Sequence, residues 1–151
     1  MAPTLRLVSP LHVNLPYPPS ANRNWRQGNG RIYTPKNVKT FREAVVWKLL
    51  EARAKDFPTC QRYAVEVELF AADNRRRDDD NAMKALWDAI TKSPFLWDDD
   101  SQIVDHHVKR GITAERAFIH LVVMSADDLE LPSPTLYGVP EKQTKKRTAK
   151  K

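Results

Sequence analysis

One cysteine, Cys60, in 151 residues excludes an internal disulfide and any cysteine-rich zinc site, and makes a reducing compartment the expectation. No stretch approaches the roughly 18 consecutive apolar residues of a membrane span. The first twenty residues also lack the basic start and apolar run of a signal peptide, so a soluble, cytoplasmic protein is expected. There is no internal repeat. The length suits one domain with an ordinary core that needs no disulfide or zinc to hold it.

What is present is unevenly placed charge. The formal net charge is +6, but the segment from Glu141 onward holds Lys142, Lys145, Lys146, Arg147, Lys150 and Lys151 against a single acid, which leaves the body close to neutral. Within that body, arginines and aspartates form separate clusters. Segregated charge suggests a polyanion handled in one place and a cation in another.

Alternating apolar residues predict strands at Leu11–Leu15 and at Tyr63–Leu69, the second half-buried. Leu5–Val8 is also β-prone. Between them, Pro16-Tyr17-Pro18-Pro19-Ser20-Ala21-Asn22 is a rigid extended segment, because proline fixes φ and lacks a donor. Arg23, Trp25, Arg26, Arg31 and Tyr33 surround Gly28-Asn29-Gly30, a strong hairpin signal, giving a basic and aromatic hairpin whose alternative reading is a solvated loop with one packed Trp. Thr34 as a capping hydroxyl before Pro35 predicts the start of a helix over 35–54, with Val38, Phe41, Val45, Leu49 and Ala52 on its core face. A second helix, capped by Asp80 or Asn81, carries Ala82, Ala85, Leu86, Ala89 and Ile90 and ends before Ser93-Pro94. Ile103–Lys109 and Ala117–Met124 read as strands joined through Arg110-Gly111-Ile112-Thr113 as an antiparallel pair. The order predicts a small single α+β domain, α/β-like, with a mixed sheet, two main helices and a β-hairpin over residues 1–125. Residues 126–151 are expected to be a disordered Pro/Lys-rich basic tail.

The stretch around which the chain is organised is Arg75–Asp100. It opens with three arginines and three aspartates, runs through the second helix, and closes on Asp98-Asp99-Asp100. Carboxylates this close repel one another unless a positive group sits between them. On an extended backbone Asp78 and Asp80 project to one side, Lys84 lies one helical turn beyond Asp80, and Asp88 continues the stripe. The second cluster follows a short loop and is expected to fold back with a further ligand. Oxygen donors without cysteine or a histidine cluster point to Mg²⁺ or Mn²⁺. The alternative for either triplet taken alone is a solvated loop or a helix cap. An EF-hand fails, since Met83 stands where its loop needs glycine and Ala89 where it needs glutamate. His106 and His107 point to opposite faces of a strand, one of them packed, and Trp87 and Trp97 read as core or interface residues.

Three motifs, Leu15–Asn22, Arg77-Asp78-Asp79-Asp80-Asn81 with Lys84, and Asp99-Asp100-Ser101-Gln102-Ile103, occur in an order and spacing that resembles the RusA family of Holliday junction resolvases. The likeness covers roughly residues 11 to 124. It implies a phage-associated or bacterial endodeoxyribonuclease that binds four-way junction DNA as a homodimer and makes paired symmetric nicks with Mg²⁺, Mn²⁺ being a possible substitute. No membrane and no small-molecule cofactor are expected. By the same resemblance the essential acids fall on Asp78, Asp80 and Asp100, with Asp99 as a further metal-ligand candidate, and the essential lysine on Lys84. Arg77 suits the DNA phosphates, and Arg23, Arg26, Arg31, Arg75 and Arg76 are the other DNA-binding candidates. Asp79 departs from the pattern, which has an apolar residue there; it is expected to face solvent or cap the helix. The rival readings are a branched-DNA-binding protein without catalysis and a phage structural or interaction protein.

Overall fold

In a computed structural model, residues 8–19 and 26–127 are described. The expected strand at Leu5–Val8 lies mostly outside these, as do Arg23, Trp25 and nearly all of the basic tail. The elements are β1 (Leu11–Pro16), β2 (Arg26–Gly28), β3 (Arg31–Tyr33), α1 (Lys36–Glu51), β4 (Tyr63–Phe70), α2 (Asp79–Thr91), β5 (Ile103–Arg110) and β6 (Phe118–Ser125), with short 3-10 turns at Ala54–Asp56 and Asp100–Gln102. A mixed four-stranded sheet runs β1-β6-β4-β5, and β2 and β3 form a separate hairpin. This is the small α+β domain that the element order predicts. Among the described residues no helix is long and apolar enough to cross a membrane.

Period-two patterning sets the layers. Leu11, Val13 and Leu15 of β1, Val65, Val67 and Leu69 of β4, and Ile119, Leu121 and Val123 of β6 join one core with Phe41, Val45 and Leu49 of α1 and Leu86, Ala89 and Ile90 of α2. Both helices therefore cover one face of the sheet. The alternate positions, including His12, Asn14, Glu66, Glu68 and His120, lie on the other face, where His120 Nδ1 meets Asn14 Oδ1 at 2.8 Å and the His12 and His120 rings approach at 3.4 Å. Trp97 is fully buried, edge-on to Tyr63 and to Trp87, and its Nε1 donates to Thr91 Oγ1 at 3.1 Å. At the hairpin, Asn29 and Gly30 both have positive φ (52° and 71°), the requirement of a two-residue type I′ turn.

Three local expectations are corrected. β5 and β6 are not neighbours: β4 lies between them, parallel to β5 and antiparallel to β6. The reason is that α2 supplies the crossover a parallel β4–β5 pair needs, which places β5 at the sheet edge. Residues 111–117 then pass over the end of β4. At α1, Pro35 rather than Thr34 is the cap residue, and no side chain bonds there. At α2 the cap is Asp78, whose carboxylate accepts from the Asp80 N–H, rather than Asp80 or Asn81. Core packing also continues past Ser125, since Ala126 is fully buried and its N–H donates to the Arg62 carbonyl at 2.9 Å.

Where the chain leaves β5, Gly111 bonds back to Leu69 O, and a Cβ added to it would lie 2.5 Å from the Phe70 ring, itself stacked on Phe118 at 4.5 Å. Gly111→Ala is expected to destabilise the domain by about 1–3 kcal/mol through overpacking, read as a lowered denaturation midpoint.

Candidate active site

The loop between β4 and α2 is tied to one carboxylate. Asp73 accepts from the Arg75 N–H (3.0 Å) and Arg75 Nε (3.0 Å), and pairs with Arg77 Nη2 at 2.7 Å. Arg77 Nη1 also donates to the carbonyls of Asp73 and Arg75, and its guanidinium lies 6.0 Å from the centre of the Tyr17 ring. The proline-rich segment and the aspartate motif thus meet at Tyr17 and Arg77. Burial raises the Tyr17 pKa. The Arg75 N–H and then the Arg77 side chain hold the Asp73 carboxyl below its ordinary value of 3.8. A depressed carboxylate pKa means that these bonds contribute fully above the ordinary value and are lost as pH falls through the lower, folded one. The Arg75 amide resonance should therefore titrate with a midpoint below 3.8. A midpoint at or above that value would contradict the tie.

The motif acids divide by role. Asp78 Oδ1 accepts from the Asp80 N–H at 3.1 Å and Oδ2 from Asn81 Nδ2 at 2.8 Å. Asp79 does not cap the helix; its side chain is 31% exposed, so it faces solvent in part, but it is paired. Both its oxygens accept from Arg110 Nε (2.9 and 3.2 Å), while Arg110 Nη2 donates to the Arg77 carbonyl at 3.0 Å. Beside Asp79, the Arg110 pKa is pushed up. Asp80 is exposed. It lines, with Lys84, Met83, Trp87, His106 and Val108, a hollow of about 260 Å³ between α2 and β5. Arg76, Arg77, Asp78, Asp79, Asp80 and Arg110 surround an adjoining open cleft of about 620 Å³.

The second acidic cluster does not fold back to this cleft. Asp99 caps the turn before β5: its Oδ1 accepts from the Ser101 N–H at 2.8 Å, and the Gln102 side chain reaches back to the Asp98 and Asp99 N–H groups. The Ser101 bonds lower the Asp99 pKa. Gln102 Nε2 also donates to the carbonyls of Cys60 and Gln61, which fixes the cluster at the start of β4 and β5. Asp79, by contrast, is held at Arg110, the last residue of β5. The length of that strand, like that of α2, separates the two clusters by about 20 Å. Asp100 is exposed at the far end. Among the described residues no three His, Cys, Asp or Glu side chains gather into a metal-holding group.

Of the arginine candidates, Arg75 and Arg77 are engaged by Asp73, Arg76 is exposed on the cleft, Arg31 is exposed on β3, and Arg26 is on β2. Sequence reasoning missed Arg110, whose role arises from a contact across the fold, and Asp73, whose partners Arg75 and Arg77 are local in the same loop. The alternative reading of the second triplet as a cap holds at Asp99, where Asp-x-x-Gln over residues 99–102 is a capping-box pattern.

Carboxylates and cations around one open cleft are what a phosphodiester-handling enzyme requires. The endodeoxyribonuclease RusA family model matches residues 16–122, and the chain belongs to that family. It is therefore an enzyme that cleaves DNA. The chain is 37% identical over 97 residues to a crossover junction endodeoxyribonuclease of Enterobacteria phage 82, a match spanning 64% of this chain and 79% of that protein. The protein of the same name from Escherichia coli strain K12 is 36% identical over 96 residues, 64% of this chain and 78% of its own length. A relative from Escherichia coli O139:H28 is 30% identical over 116 residues, 77% of this chain and 95% of that protein.

Proposed function

We propose that the chain is a Mg²⁺-dependent endodeoxyribonuclease that resolves four-way DNA junctions as a homodimer, with Mn²⁺ able to replace Mg²⁺. The observation that carries this reading is the start of α2, where Asp78 and the exposed Asp80 border a cleft that Arg76, Arg77 and Arg110 also line, and Asp80 is shared with the adjoining hollow that Lys84 lines. These residues fit a hard divalent cation. Mg²⁺ is commonly held by one or two carboxylates with water and substrate phosphate completing its shell, so a three-acid cage is not needed. Each Asp78 oxygen accepts one hydrogen bond and keeps a lone pair, and the Asp80 carboxyl accepts no hydrogen bond among the described residues.

When bound there, a divalent cation supplies Lewis-acid polarisation of a phosphate and a more acidic water. The chain's own residues supply the rest. Asp78, rigidly held as a helix cap, and Asp80 fix the position of the cation. Lys84, one turn further along α2, is a compact cation suited to orienting the attacking water or to stabilising charge that develops on the phosphate. Arg76 neutralises phosphates of the incoming strand.

Asp100 joins this site from a second copy. A twofold axis that runs two α2 helices antiparallel sets the start of one beside the end of the other, which brings together acids that lie about 20 Å apart in one chain. The same axis yields two equivalent sites, as two symmetric cuts require. The test is product formation on a synthetic four-way junction in excess linear duplex, with Mg²⁺ and with chelator. Cleavage only with Mg²⁺ is expected. Binding without product under either condition would favour the non-catalytic junction-binding alternative.

A further inference from the structure

We propose that Arg110 is a DNA-phosphate contact of the active site, and that Asp79 is its positioning residue. This inference rests on the reading that the cleft at the start of α2 is where the DNA strand is cut. It reassigns work among the arginines. Arg75 and Arg77, which the sequence offers most prominently, have their guanidinium groups on Asp73 and on backbone carbonyls. Arg110 comes from the end of β5, far away in sequence, yet it borders the same cleft as Asp78 and Asp80.

Its geometry is that of an aimed group. Nε is held by both Asp79 oxygens and Nη2 by the Arg77 carbonyl, whereas Nη1 makes no hydrogen bond among the described residues and the side chain is 62% exposed. Two fixed points on a planar fork leave it little freedom, and the unengaged edge retains donors of the kind that bind phosphate oxygens. Stability is a poor reason for such a pair, because exposed ion pairs contribute only about 0–1 kcal/mol. Orientation is a better one. Asp79 holds the guanidinium without occupying all of its donors, and the Arg77 carbonyl ties that orientation to the loop that carries Asp78.

The test uses Arg110→Ala, Arg110→Lys, Asp79→Asn and the double variant Asp79→Asn/Arg110→Ala in the full chain, with Asp80→Asn as control. Two quantities are read: the salt dependence of four-way junction binding without metal, and the single-turnover cleavage rate with Mg²⁺. Losing one phosphate contact should reduce the slope of log affinity against log salt by about 1 in Arg110→Ala. Asp79→Asn keeps the cation, so its slope should be at least as steep as the wild type's while its rate falls by about ten- to a hundredfold. Arg110→Lys should likewise keep the slope and lose rate, which carries the test should Arg110→Ala fail to fold. The double variant should cut no more slowly than Arg110→Ala. An unchanged slope in Arg110→Ala, or multiplied losses in the double variant, would overturn the proposal. Wild-type cutting by Asp80→Asn would overturn the reading of the site itself, a result separable from the Arg110 slope.

Discussion

Asp80→Asn is expected to bind a four-way junction as tightly as the wild type and to cut it at least about a hundredfold more slowly. The magnitude follows from the position of the residue. Removing a group that only supports a metal ligand typically costs 10- to 100-fold, and losing a ligand should cost no less. Asp80 is exposed, so the substitution leaves no buried group unpaired. Its carboxyl accepts no hydrogen bond among the described residues, and helix capping stays with Asp78. The fold should therefore be unaffected. Binding should hold or tighten, because one negative charge facing the phosphates has gone. A gel-shift titration and a cleavage time course on the same preparation measure both halves. Cutting at the wild-type rate would remove Asp80 from the site.

The second large effect is recovery rather than loss. Asp80→Asn and Asp100→Asn should each be nearly inactive alone, yet a mixture allowed to exchange subunits should nick DNA at about a quarter of the wild-type rate. In a 1:1 mixture about half the dimers are mixed. If each site takes Asp80 from one copy and Asp100 from the other, a mixed dimer has one doubly substituted site and one intact site. Its products should be single nicks rather than paired ones. If instead all the acids of a site came from one chain, every site would carry a substitution and mixing would restore nothing. The separation of the clusters along β5, with Asp99 capped at one end and Asp79 held by Arg110 at the other, argues for the first outcome.

Much of this arrangement is legible in the sequence because it is local. Alternation at Leu11–Leu15 and Tyr63–Leu69 marks strands, and the spacing of Val38, Phe41, Val45 and Leu49 marks the buried face of α1. Asn29-Gly30 specifies its turn through backbone conformations that few residues accept. The larger misses depend on partners remote in sequence. Strand order followed from α2 acting as a crossover, so β5 went beside β4 although the connection to β6 is short. Asp79 looked like a misplaced charge until Arg110, 31 residues away, was found beside it.

The aspartate triplets show the same limit in another form. Their alternative reading as helix caps is correct for one residue of each: Asp78 caps α2 and Asp99 caps the turn before β5. At Asp78 the cap and the proposed ligand are one residue, held in place by the bonds it accepts. That leaves Asp80 and Asp100 as the acids of the assignment that cap nothing, one at the start of α2 and the other beyond its end.

Mapping the nicks on a mobile four-way junction, with Mg²⁺ and with chelator, tests the central claim most directly. The expected result is paired nicks at symmetry-related positions on two opposing strands, present with Mg²⁺ and absent without it. Nicks that are unpaired in the wild-type protein, that fall equally on linear duplex, or that persist in chelator would contradict it.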